Sequence, residues 1–305
     1  MKQILRNILA SSLIAIVFTA CDKNLSEITM ITEVSAGDTV LIHLTGRGFV
    51  TIDWGDGSEK VRRRLKTNDW WQPFEHTYST TATRTITVSG NKITGLLCSH
   101  NQLTSLDVSK ATALGVLDCS HNQLTNLDLS KNTALDALYC SNNQLTNLDV
   151  SNNIALRWLD CSNNQLTNLD LSTNTILKKL YCHNNLLTSL DVSKNTALIR
   201  LRCSSNRLTS LNVSGATKLT ELWCRNNQLT SLDLSDNTAL RWVLVSENDF
   251  SEDALNALFH TLHSNDIEEK FKGKVIGVGS TKGDRSIAER KDWVFWDWND
   301  WSSDD

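Results

Sequence analysis

Seven cysteines fall at positions 98, 119, 140, 161, 182, 203 and 224, each 21 residues after the last. Stacked thiols in an oxidising compartment could form disulfides or hold a metal. The spacing argues for neither. If each 21-residue unit gives one strand, the side chains of neighbouring units project in parallel about one strand spacing (~4.8 Å) apart. That is at or beyond the ~3.5–4.5 Å Cβ separation of a disulfide. No CxxC pair exists to build a zinc site, and Val245 takes the eighth occurrence of the place. The expectation is buried free thiols acting as small hydrophobes. Asp107, Asp128, Asp149, Asp170, Asp191 and Asp233 share another place, which Asn212 takes once. Calcium wants six to eight oxygens from a shaped loop, so backbone donors or nearby Ser and Thr hydroxyls are the expected partners of these carboxylates. His100 and His121 stack without a third ligand and read as surface residues. No cofactor or metal is expected. No catalytic constellation and no Gly-rich phosphate loop stand out. A glycosidase needs two carboxylates facing across a cleft, whereas Asp118 and Asp160 lie two units apart, ~10 Å by strand spacing. The chain therefore reads as a binding protein rather than an enzyme.

The elements that position these residues are the units themselves. Asparagines at 101, 122, 143, 164, 185, 206, 227 and 248 keep the same 21-residue period as the cysteines. One unit runs from Leu135 to Ala155 and reads LxxLxCxxNxLxxLDVSxNxx. Seven full units and one partial unit extend from Ile93 to about Phe250. The pattern resembles the bacterial, internalin-like leucine-rich repeat and covers about half the chain. The resemblance implies a mainly β solenoid of about eight coils. Each coil turns its leucines inward and cannot form a core alone, so coils must stack. The LxxLxC segment is expected as a short parallel strand, and eight coils then rise roughly 34 Å. The ninth-place Asn sits at the inward turn, where its amide can donate and accept toward unpaired backbone groups. The second half of the unit is expected as a short extended segment on the far side, not a helix.

Comparing the units with one another separates scaffold from variable surface. The place between Leu and Cys holds Leu97, Asp118, Tyr139, Asp160, Tyr181, Arg202, Trp223 and Leu244. The place before the second Leu holds Gly95, Val116, Ala137, Trp158, Lys179, Arg200, Glu221 and Trp242. Strand alternation puts both on the face opposite the core. The candidate ligand-binding residues there are Tyr139, Arg157, Trp158, Asp160, Lys179, Tyr181, Arg200, Arg202, Trp223 and Trp242. Exposed aromatics beside arginine are what protein interfaces use as anchors, and flat aromatics could equally stack on sugar rings. A protein ligand on the expected concave face, in adhesion or host–microbe interaction, is the first reading, and glycan binding the second.

Residues 1–20 carry Lys2 and Arg6, then an apolar run from Ile8 to Phe18, and end Phe18-Thr19-Ala20-Cys21. This is the layout of a secretory signal peptide. The cysteine after the small residue resembles a lipobox, which implies that Cys21 is lipidated. Residues 21–27 then form the anchor and linker, and the protein is expected at the outer membrane or cell surface, lipid-anchored. The apolar run is shorter than the ~20 residues of a membrane span. Without the leader the chain has 28 Lys and Arg against 34 Asp and Glu, a net of −6. That balance argues against nucleic acid, whose phosphates need a clustered positive face.

The ends differ from the repeats. In residues 28–90, Thr39–Thr45 and Val50–Trp54 read as two strands, and Asp56-Gly57 signals a turn. The pieces IDWGDGS, HTYS and TITVSG resemble a PKD-type, immunoglobulin-like β-sandwich, here short for a full one. Asp56 reads as a turn residue. Residues 251–305 are expected as an α/β C-terminal cap with a Trp-rich tail. Ser251 N-caps a helix with Leu255, Leu258, Phe259 and Leu262 on one face. Lys274–Val278 reads as a strand, and Ser286–Lys291 as a short helix before a packed Trp293. Trp296, Trp298 and Trp301 are open between packing, anchoring a partner and disorder.

Overall fold

A computed structural model of the chain describes residues 25–66, 71–264, 274–279 and 283–296. The leader, Cys21, Trp298 and Trp301 lie outside the described residues. Five longer strands come first: β1 (Ser26–Val34), β2 (Thr39–Asp53), β3 (Val61–Leu65), β4 (Gln72–Thr77) and β5 (Ala82–Leu97). The two strands expected over 39–45 and 50–54 are a single bent strand, β2. Gly46 and Gly48 sit at φ 154° and 91°, and there the pairing of β2 with β5 shifts register twice. A Cβ at Gly46 would collide with the Lys92 carbonyl, so glycine turns what reads as a break into a bulge.

The repeats follow as a ladder of three-residue strands on one face. They are β7 (Val116–Asp118), β8 (Ala137–Tyr139), β9 (Trp158–Asp160), β10 (Lys179–Tyr181), β12 (Arg200–Arg202), β14 (Glu221–Trp223) and β15 (Trp242–Leu244). Each pairs in parallel with the strand one coil away. The end of β5 starts the ladder by pairing with β7. On the far side, β6 (Leu103–Asp107) lies against β1, and β11 (Ser189–Asp191) pairs with β13 (Ser210–Asn212). Strands form on the far side at β6, β11 and β13, and the other coils carry neither a strand nor a helix there. The ladder also outruns the repeats: β16 (Lys274–Gly277) pairs with β15, and β17 (Trp293–Phe295) with β16. The solenoid therefore has about nine turns rather than about eight. Helix α1 (Glu252–Thr261) is N-capped by Ser251, which accepts from the Ala254 N–H at 3.1 Å, and α2 (Ser286–Glu289) precedes β17. Leu255, Leu258, Phe259 and Trp293 join the same buried core as the repeat leucines.

The bonds between coils come from asparagine. In one coil, Asn164 donates from Nδ2 to the carbonyls of Cys140, Cys161 and Ser162 at 3.0, 3.2 and 3.2 Å. Its Oδ1 accepts from the Leu145 N–H of the preceding coil at 2.9 Å. The first asparagine, Asn101, has no preceding repeat and bonds both backbone groups of Leu41 in β2 instead. A second asparagine ladder is given no role by the sequence reading. Asn132, Asn153, Asn174, Asn195 and Asn237 are fully buried or nearly so. Each donates to two carbonyls, as Asn174 does to Val150 and Asn153 at 3.1 and 3.0 Å.

The other ladders are structural as well. All seven repeat cysteines are buried free thiols. Each carboxylate of the aspartate ladder accepts the backbone N–H of the serine two residues on, at 2.8–2.9 Å. Those hydrogen bonds to serine hold the carboxyls below their ordinary pKa range. His100 and His121 stack with ring centroids 4.0 Å apart, and no group of three or more possible metal ligands occurs among the described residues.

Candidate ligand-binding face

Parallel register fixes two columns across the ladder. One runs from Val116 and Ala137 through Trp158, Lys179, Arg200 and Glu221 to Trp242 and Val275. The other runs from Asp118 and Tyr139 through Asp160, Tyr181 and Arg202 to Trp223 and Leu244. Between them the central strand residues Leu117, Leu138, Leu159, Leu180, Leu201 and Leu222 are completely buried. Nine of the ten candidate residues therefore share one face. Arg157 stands at its edge, one residue before β9, where it pairs with Asp136 at 3.3 Å.

Neighbouring coils bring the side chains of this face together. Tyr139 and Trp158 have centroids 5.6 Å apart at 52°, and Trp158 and Tyr181 lie 6.3 Å apart at 82°. The Lys179 Nζ lies 3.8 Å over the Trp158 ring. The Arg202 guanidinium lies 3.8 Å over Trp223 and 5.0 Å from the Tyr181 ring. Both arginines reach Glu221: Arg202 at 2.7 Å to Oε1, Arg200 at 3.3 Å to Oε2. The aromatics are consequently half-buried by one another rather than fully in water, apart from Trp242, which is 41% exposed. Asp118 and Asp160 each accept from the N–H and hydroxyl of the serine two residues on, so part of their acceptor capacity goes to the scaffold. The indole N–H groups of Trp158 and Trp223 are shielded and have no hydrogen-bond partner among the described residues.

Three residues of this face are absent from the sequence candidates. Glu221 ties Arg200 to Arg202. Val275 continues the first column from β16. Trp296 approaches Trp242 at 6.5 Å and 89°, which places it against the end of the ladder. Together with Arg202, Trp223 and Trp242 these three line a cleft of about 440 Å³. The period alone could have found Glu221, since it lies 21 residues from Arg200. Nothing periodic announces Val275 or Trp296.

Stacked coils with an inward leucine core and one open, aromatic-rich ladder face define a leucine-rich-repeat β-solenoid. Solved structures similar to it include bacterial leucine-rich-repeat proteins. A leucine-rich-repeat protein of Leptospira interrogans aligns at 25% identity over 55% of this chain and 46% of its own, with a TM-score of 0.53. The functional domain of InlJ from Listeria monocytogenes, described as including a cysteine ladder, aligns at 29% identity over 72% and 56%, with a TM-score of 0.39. YopM, a leucine-rich effector protein from Yersinia pestis, aligns at 27% over 50% and 49%, with a TM-score of 0.42. In each case the alignment spans less than two thirds of the other chain. No family model and no curated protein matches the sequence.

Proposed function

We propose that this protein is a lipid-anchored bacterial surface protein that binds a protein ligand through the open face of its parallel ladder, without catalysing a reaction. One observation carries the reading: aromatic rings and cations from successive coils, Trp158 to Trp242, interleave on one face of a rigid scaffold. Aromatic and Arg side chains are the usual anchors of protein interfaces. The same geometry disfavours a sugar platform. The rings of Tyr139, Trp158 and Tyr181 are tilted by 52° and 82° to one another, so they offer no common plane. Cations already lie over Trp158 and Trp223.

The test sets the parent protein beside a variant carrying Tyr181→Ala, Trp223→Ala and Trp242→Ala, on extracellular-protein and glycan arrays. Protein signal that drops at least tenfold in the variant is the expected result. Signal on glycans alone, lost in the variant, would make this a carbohydrate-capture protein. Equal binding by variant and parent would remove the function from this face.

The anchor and the N-terminal unit belong to the same proposal. Cys21, after Phe18-Thr19-Ala20, is the lipidation site, with residues 1–20 as leader and 21–27 as linker. No helix among the described residues is long and apolar enough to cross a membrane. Changing Cys21→Ala is expected to move the protein from the membrane fraction to the soluble one; unchanged membrane association would sink the anchor. Residues 28–90 are a PKD-like unit, 91–250 the repeats and 251–305 the C-terminal cap. The IDWGDGS and HTYS pieces meet in one cluster: His76 stacks on Trp54 at 5.2 Å and bonds Asp56 at 2.6 Å, while the Tyr78 hydroxyl donates to the Trp54 carbonyl. Asp56 also accepts the Ser58 N–H, which supports its reading as a turn residue.

A further inference from the structure

The charge on the open face is unevenly placed. The chain is acidic, with a net of −4. Yet from Lys179 to Trp242 the two columns hold Lys179, Arg200 and Arg202 against the single acid Glu221. Glu221 is shared by both arginines, so one carboxylate answers two guanidiniums and Lys179 adds a further positive charge. This basic stretch runs directly into the cleft of about 440 Å³ lined by Arg202, Glu221, Trp223, Trp242, Val275 and Trp296. The second column steps down from Trp223 to the buried Leu244 and then to Gly277. Trp242 and Trp296 meet edge to face, forming an apolar corner rather than a flat shelf.

We infer that this cleft takes an aromatic side chain from an acidic peptide segment, whose carboxylates lie along Arg200 and Lys179. The inference rests on the protein-binding reading of the face and names the chemistry of the partner. A corner of two perpendicular indoles accepts a third ring edge to face, the preferred aromatic geometry. The volume is at the small end of ligand pockets and suits a side chain more than a folded surface. Arg202 is held by Glu221 and Trp223 and forms the wall. Arg200, 45% exposed on its side chain, has N–H donors left for a carboxylate, since a guanidinium carries five. Carboxylate pairs with Arg are charge-assisted and directional.

The experiment uses a fluorescent peptide with one Trp flanked by Asp residues, its counterpart with Asn in place of Asp, and the full-length protein. Saturable anisotropy binding of the acidic peptide is expected, weakened at least tenfold by Trp242→Ala, severalfold by Arg200→Gln, and at least tenfold in the Asn peptide. Trp242 is substantially exposed, and an unchanged melting temperature in Trp242→Ala confirms that the loss is local. Equal binding of the Asp and Asn peptides, indifference to Trp242→Ala, or no binding up to about 1 mM would each overturn the inference. If those failures occur while array binding still depends on Tyr181, Trp223 and Trp242, the cleft assignment falls and the face reading stands. If a soluble oligosaccharide binds in a Trp242-dependent manner and the peptide does not, both fall.

Discussion

Asn164→Ala is expected to lower the stability of the solenoid by about 3 kcal/mol in chemical denaturation. The estimate follows from what each partner has left. The Cys161 carbonyl also receives Asn185, and the Cys140 carbonyl also receives Asn143. Those acceptors keep one donor each. The Leu145 N–H has no such reserve: the Asn164 Oδ1 is its acceptor at 2.9 Å, in a buried site. An orphaned buried donor costs roughly 1–3 kcal/mol, and the space left by the amide adds to that. Asn164→Asp should be worse than Ala. It keeps an acceptor for Leu145 but sets a buried carboxylate against the three carbonyls that the Nδ2 now serves. A loss below about 1 kcal/mol in Asn164→Ala, or an Asp variant more stable than the Ala variant, would mean that the ladder does not hold the coils together.

The thiols give the second large effect. Burial pushes Cys182 and Cys224 up to about 12 and raises the other five as well. Only the thiolate reacts with a disulfide reagent. At pH 8 an ordinary thiol is roughly a quarter to a tenth ionised, whereas one at about 12 is ionised to about one part in ten thousand. Native labelling of Cys182 and Cys224 should therefore run about a thousandfold slower than in the unfolded chain, and the other five should be slowed as well, with steric exclusion adding to the effect. Denaturation should release seven reactive repeat thiols. Native labelling faster than about a hundredth of the denatured rate would show that the coils open. Fewer than half of the seven reacting after denaturation would show that they are oxidised.

How much of this was legible follows from periodicity. Leu, Cys and Asn places meet the same surroundings in every coil, so one physical argument serves all of them. That is why the inward leucines, the buried thiols and the asparagine turns read directly from a 21-residue spacing. The columns of the open face follow too, since the same spacing sets which residue of one coil lies beside which of the next. What periodicity does not encode was missed. β2 reads as two strands because a glycine bulge and a glycine turn look alike in composition. β16 and β17 extend the ladder from a segment with no repeat signature. The asparagines at 132, 153, 174, 195 and 237 recur visibly, but their buried role is masked because Asn at a turn is unremarkable and Ala111 and Ala216 take the same place. The Arg202–Glu221 pair and the approach of Trp296 depend on side-chain reach, which spacing does not supply.

The asparagine bonds also set the grain at which this molecule can change length. From Asn122 onward each amide reaches its own coil and the one before it, and Leu41 stands in for the missing predecessor of the first. Removing or duplicating a whole 21-residue unit therefore restores the same contacts on both sides of the join. An insertion of 20 or 22 residues would place the asparagine that follows the join out of step with its acceptors in the preceding coil. The open face can thus lengthen or shorten only in whole strand spacings of ~4.8 Å. Recombination between repeats, which preserves phase automatically, becomes a route to faces of different reach on an unchanged frame.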